Sequence, residues 1–121
     1  MIDTRWFEYQ APTPDRAVRH KAIKDAETVC GETIAKALDT NDFDLVNKAC
    51  LGFAIVIDRL AVDSEDKAAA IRELRMLRMA INEAIMANKR GSHSCGAIDT
   101  ASESIRRARM WANAAIALEE T

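Results

Sequence analysis

The chain has 121 residues, 49% hydrophobic and 30% charged, with few aromatics and only four glycines and two prolines. One compact domain fits that length, and the composition excludes a disordered tail and argues for helix over an all-β fold. Seventeen basic residues against nineteen acidic leave a net charge of -2, so a general duplex-DNA binder is not expected, although a local basic pocket for a small anion stays open.

Residues 1–12 read as an ordered N-terminal arm that is not helical. Trp6, Phe7 and Tyr9 cluster there, and Pro12 and Pro14 follow. The first helix is expected over 13–38. Thr13 suits the N-cap, Pro14 the first helical position, and Asp15 the positive end of the dipole. Its apolar stripe is Ile23, Ala26, Cys30, Ile34 and Leu38, with Val18, Ala22 and Val29 beside it.

After the turn signal 39–42, a second helix is expected over 43–61. Its middle, 49–57, is apolar on every side, as in a helix buried within a bundle or an oligomer. Asp63 or Ser64 can cap a third helix over 64–88, with Glu65 and Asp66 in its first turn. Residues 89–96 form the next loop, with Gly91 as the helix stop. Thr100 and Glu103 have the spacing of a capping box and predict a fourth helix over 100–119. The expected architecture is an all-α single domain: a small bundle of about four helices with short connections, hence antiparallel neighbours.

No stretch is long and apolar enough to span a membrane, and residues 1–6 do not read as a signal peptide. Cys30, Cys50 and Cys95 are an odd number at wide spacing, which points to reduced thiols in a cytosol. His20 and His93 are the only histidines; His93 and Cys95 share a loop, but no second ligand pair follows, so a zinc site is not expected. No glycine-rich phosphate loop, nucleophile elbow or HExxH motif occurs, so neither an enzyme nor a bound cofactor or metal is expected. The third and fourth helices share vocabulary. Arg75, Arg78 and Asn82 recur as Arg106, Arg109 and Asn113, each set on one helix face. Two readings stand: common wording in an Ala- and Arg-rich chain, or a duplicated helix with an Arg-Asn seam for anions.

The arm and first helix combine aromatic faces (Phe7, Tyr9) with cations (Arg16, Arg19, Lys24). A nucleobase needs the first to stack on and a phosphate needs the second. The plainer reading is that the aromatics staple the arm to the bundle. The run 7–12, the stretch 19–26, Ser64-Glu65-Asp66-Lys67 and Met110-Trp111-Ala112-Asn113-Ala114-Ala115-Ile116-Ala117 resemble, in that order, motifs of small phage proteins that block CBASS immunity. Those proteins share a helical hairpin with the phage anti-Thoeris sponges, and the resemblance covers about half of the chain, mainly 7–38, 63–88 and 109–118.

It implies a non-enzymatic sponge that sequesters cyclic di- or trinucleotide messengers in the host bacterial cytoplasm, within a homo-oligomer, commonly a hexamer. By the same resemblance Tyr9 stacks on a base and Lys24 contacts the ligand, with Phe7, Gln10 and Arg19 nearby. The chain departs from the pattern in three places. Gln10 replaces a histidine, Ala80 stands where a tryptophan is expected, and the intact Trp-Ala-Asn motif falls on the fourth helix. Helices two and three then read as an insertion or a duplication. The alternative function is a structural or partner-binding helical oligomer with no small-molecule ligand.

Overall fold

A computed structural model describes residues 13–91 and 96–118, and these form four α-helices with no strand among them. Helix α1 spans Pro14–Thr40, α2 Phe43–Leu60, α3 Glu65–Lys89 and α4 Ala97–Ala117. At 27 residues, α1 is about 40 Å long. Each helix packs on its two chain neighbours around a square, α4 closing back on α1, while α1 and α3 meet only across the diagonal. The result is an all-α, up-and-down bundle.

Local chemistry sets most of the helix ends. Thr13 Oγ1 accepts from the Arg16 amide at 3.2 Å, and Ser64 Oγ accepts from the Lys67 amide at 3.1 Å. Each satisfies a donor that the first helical turn leaves without a partner. Asp42 does the same for α2, accepting from the Asp44 and Leu45 amides. Asn41 closes α1 in the left-handed region (φ 53°), which asparagine tolerates. Its side-chain oxygen accepts from Asn88 Nδ2 at 3.2 Å, tying the α1–α2 turn to the end of α3. The Lys89 ammonium lies 4.8 Å from the centre of the Phe43 ring at the same end.

The start of α4 departs from expectation. No capping box forms at Thr100 and Glu103. The helix begins three residues earlier, behind Gly96. Gly96 has φ 81°, a left-handed conformation that glycine takes at little cost, so the helix starts directly from the turn without a side-chain cap. Glu103 instead binds Arg106 at 2.7 Å and Arg107 at 3.4 Å. The Arg106 hydrogen bond holds its carboxyl below the usual range.

The core runs along the bundle axis. Phe53, Ile23, Ile34, Ile57, Leu77, Ile81, Ile85 and Ile116 are its largest fully buried side chains, and small alanines fill the space between helices. On α1 the inward residues are Ile23, Cys30, Ile34 and Ala37, whereas Val18 and Val29 are largely exposed. On α2 the inward face is Val46, Ala49, Cys50, Phe53 and Ile57. The apolar run 49–57 is therefore only half covered: Leu51 and Ile55 face outward.

Cys30 and Cys50 are free, buried thiols. Burial pushes Cys30 up to about 12 and Cys50 up to about 11, the latter opposed by the nearby Arg78 charge. Both thiols hold their protons more tightly folded than unfolded, so their contribution is present at neutral pH and is lost as pH rises from about 9. The expected outcome is that iodoacetamide labels neither site in the native protein at about pH 8 and labels both in urea. Rapid native labelling of Cys30 would contradict its burial.

Candidate functional site

A groove that carries three basic side chains runs between α1 and α4. It encloses about 580 Å³ and is lined by His20, Lys21, Lys24, Arg109, Met110 and Asn113, together with Ala114 and Ala117. Helical spacing builds it. His20 and Lys24 are four residues apart on α1, and Arg109 and Asn113 are four apart on α4, so each pair stands on one face.

Two cross-helix contacts bracket the groove. At one end Asn113 Oδ1 and His20 Nδ1 are 2.9 Å apart. With the carboxamide oxygen accepting, the imidazole carries its proton on Nδ1. At the other end Arg109 Nε donates to Glu27 Oε2 at 2.7 Å, with both side chains mostly covered. Lys21 pairs along its own helix with Asp25 at 2.9 Å. The Lys24 ammonium has no partner among the described residues. Among the described residues it is the one charge of the groove without a partner, since Lys21 and Arg109 are each matched by a carboxylate. The arrangement offers, among the described residues, one unmatched cation between hydrogen-bonding groups, beside small alanines. That chemistry suits a compact anion with an apolar or planar part.

Of the residues selected from the sequence, Lys24 lines this groove and Arg19 does not. Five residues separate them, about 140° around the helix. Arg19 turns the other way: Nη1 donates to the Leu60 carbonyl at 3.0 Å and Nη2 pairs with Asp15 at 3.0 Å. It secures the carboxyl end of α2, whose last carbonyls have no helical partner. Phe7, Tyr9 and Gln10 lie outside the described residues, as do Trp6, His93 and Cys95.

His20 is not singled out by the sequence, and Arg109 and Asn113 enter there only through the repeated Arg-Asn seam. A usable signal was present, because His20 and Lys24 share one turn spacing and Arg109 and Asn113 share another. Which helix faces meet depends on how the bundle closes.

The repeated Arg-Arg-Asn sets do not form one seam. On α4, Arg109 and Asn113 face α1. On α3, Arg75 and Arg78 border a different groove of about 470 Å³ against α2, beside Asn47, Leu51 and Ala54. The α4 arginine already binds a carboxylate of its own chain, while Asn82 Oδ1 is buried with no hydrogen-bond partner. Among the described residues no group of three or more His, Cys, Asp or Glu side chains could hold a metal ion, and no helix is long and apolar enough to cross a membrane. No protein-family model, curated protein or solved structure matches the chain.

Proposed function

We infer that the chain is a phage-type immune-evasion protein that binds a cyclic di- or trinucleotide messenger and sequesters it in the bacterial cytoplasm without cleaving it. The observation that supports this reading is the setting of Lys24. The lysine selected by the resemblance lines the α1–α4 groove with its ammonium unpaired among the described residues, between the His20–Asn113 and Arg109–Glu27 contacts. One free cation flanked by oriented polar groups is what a phosphodiester requires, and the net acidic chain can supply it locally. In the same reading Tyr9 supplies the stacking face and the protein works as a homo-oligomer, up to a hexamer.

The test is a panel of cyclic di- and trinucleotides followed by melting temperature and calorimetry. A nanomolar ligand in about thousand-fold excess over its Kd adds about 4 kcal/mol of stability. Lys24→Glu is expected to weaken binding at least about 30-fold, because it replaces the attracting charge with a repelling one. Ligand recovered intact by heat extraction distinguishes sequestration from hydrolysis. No thermal shift with any member of the panel would remove the reading.

The second reading, a helical oligomer without a small-molecule ligand, is favoured by the apolar outer face of α2, where Leu51 and Ile55 stand exposed.

A further inference from the structure

Helix α2 carries an outward face that its own bundle leaves bare. Leu51 is 61% exposed and Ile55 40%, with Gly52 exposed beside them and Lys48 and Asp58 exposed at either end. The spacing 48, 51, 52, 55, 58 is that of a helix face that packs against another helix.

Gly52 adds a second observation. A Cβ built there meets nothing within 4 Å, so packing inside the protomer does not call for glycine. Glycine in mid-helix is nonetheless unfavourable relative to alanine. Flanked by two exposed aliphatic side chains, it marks a place where another backbone can approach closely.

The charges identify the occupant. Leu51 and Ile55 lie two residues before and after Phe53, and Lys48 and Asp58 lie five before and after it. A two-fold axis crossing α2 at the level of Phe53 therefore sets Leu51 against the partner's Ile55 and Lys48 against the partner's Asp58, each contact occurring twice. The Lys48 ammonium has no partner among the described residues. The Asp58 carboxylate gives one oxygen to Lys67 at 3.0 Å and its side chain stays 67% exposed, so it can receive a second cation.

Beside this face the α1–α2 groove, about 630 Å³ and lined by Ala22, Ala26, Val29, Gly52 and Val56, continues the apolar surface. A helix of 18 residues is about 27 Å long, so the face and its flank run the full length of α2.

We propose that the outer face of α2 is a two-fold interface between two copies of this chain, the α2 helices packing antiparallel across Gly52. The interface stands on α2 alone and does not depend on the ligand reading, whose groove lies between α1 and α4.

Sedimentation of the full chain up to about 200 μM tests it, since weaker association falls outside the range of specific pairs. Wild type is expected to sediment as a dimer or a larger even assembly. Leu51→Arg, which sets a guanidinium against the partner's Ile55 in both symmetric contacts, is expected to lower the association constant at least about 100-fold. Gly52→Ala separates fold from interface. At dilutions where the chains are apart its melting temperature is expected to rise by about 3–5 °C, because alanine is the better helix former. Its association is expected to fall at least about ten-fold, because the methyl group opposes the close approach.

Should Leu51→Arg fail to fold, as circular dichroism would report, Gly52→Cys in a Cys95→Ser background decides the matter: the interface forms a symmetric disulfide on mild oxidation. A wild type that stays monomeric over the whole range overturns the proposal. So does an assembly that Leu51→Arg and Gly52→Ala both leave intact, or a Gly52→Cys protein that stays uncrosslinked.

Discussion

Replacing Phe53 by alanine is expected to lower the unfolding free energy by about 3–5 kcal/mol. Phe53 is 2% exposed and belongs to the cluster that joins α2 to α1, α3 and α4. Its neighbours cannot refill the space. Many of the core positions are alanine or cysteine, with short side chains fixed on rigid helices, so the cavity stays open and adds to the lost transfer free energy. A domain of this size has only about 5–15 kcal/mol in hand, so the variant loses about a fifth or more of its stability. Urea denaturation should show a lower midpoint with an unchanged slope. Leu51→Ala on the same helix is the control. Its side chain is mostly exposed, so the change at dilutions where chains are apart is expected to stay within about 0.5 kcal/mol. Equal effects of the two substitutions would mean that the inner and outer faces of α2 have been assigned the wrong way round.

Lys67→Ala is expected to destabilise by about 2 kcal/mol, a large effect for a lysine near the surface. Its side chain is 9% exposed, and all three ammonium donors are used at the α2–α3 turn. Nζ donates to the Asp58 carbonyl at 3.0 Å and contacts Asp58 Oδ1 at 3.0 Å and Asp63 Oδ1 at 2.8 Å. The lysine thus holds the end of α2, the turn and the first turn of α3 as one unit. Truncation leaves a carbonyl near the α2 terminus without its donor and removes the packed aliphatic stem. Lys67→Met separates the two contributions. It keeps the stem and loses the donors, so it is expected to recover part of the loss and no more.

The same contacts set a pH dependence. The Asp63 hydrogen bond, then that of Asp58, raises the Lys67 ammonium above its ordinary range, and the Lys67 hydrogen bond lowers the Asp63 carboxyl. A raised lysine stabilises the fold while it is charged, and that share is lost on going alkaline beyond about pH 10.5. A lowered carboxyl stabilises the fold while it is ionised, and that share is lost below about pH 4. The contribution of these contacts should therefore be constant between these limits. Lys67→Met should lose less stability than wild type on passing below pH 4, because its Asp63 no longer has the bond to lose.

Much of the bundle is legible along the chain because its signals are local. Thr13 and Ser64 are recognisable N-caps, since a hydroxyl oxygen one residue ahead of a helix meets an amide three residues on whatever the rest of the protein does. The Ile23-Cys30-Ile34 stripe follows from 3.6-residue periodicity in the same way. The α4 start was misplaced because two local signals compete. The Thr100–Glu103 pattern is a valid cap in isolation, but Gly96 in the left-handed region lets the helix begin earlier, and Glu103 goes to Arg106. Val18 and Val29 show the limit of periodicity: they border the apolar stripe of α1, yet no helix covers them.

The candidate site was half readable. The resemblance points to Lys24 as a ligand contact and to Arg19 beside the same pocket, and the fold separates them. Separating them takes the rotation between positions 19 and 24 together with the knowledge that α4 lies on one side and the end of α2 on the other. His20 and Asn113 are 93 residues apart, as are few contacts that local pattern could reveal.

Composition, periodicity and capping chemistry alone make this chain an all-α bundle of four helices, because those quantities act within a turn or two of the backbone. The pairing of faces is a different matter. Arg109 with Glu27, His20 with Asn113, Lys67 with the end of α2, and the bare side of α2 around Gly52 all arise from how four amphipathic helices close around one core. Burial, which is non-directional, drives that closure and leaves no mark in the local sequence of which polar groups will meet.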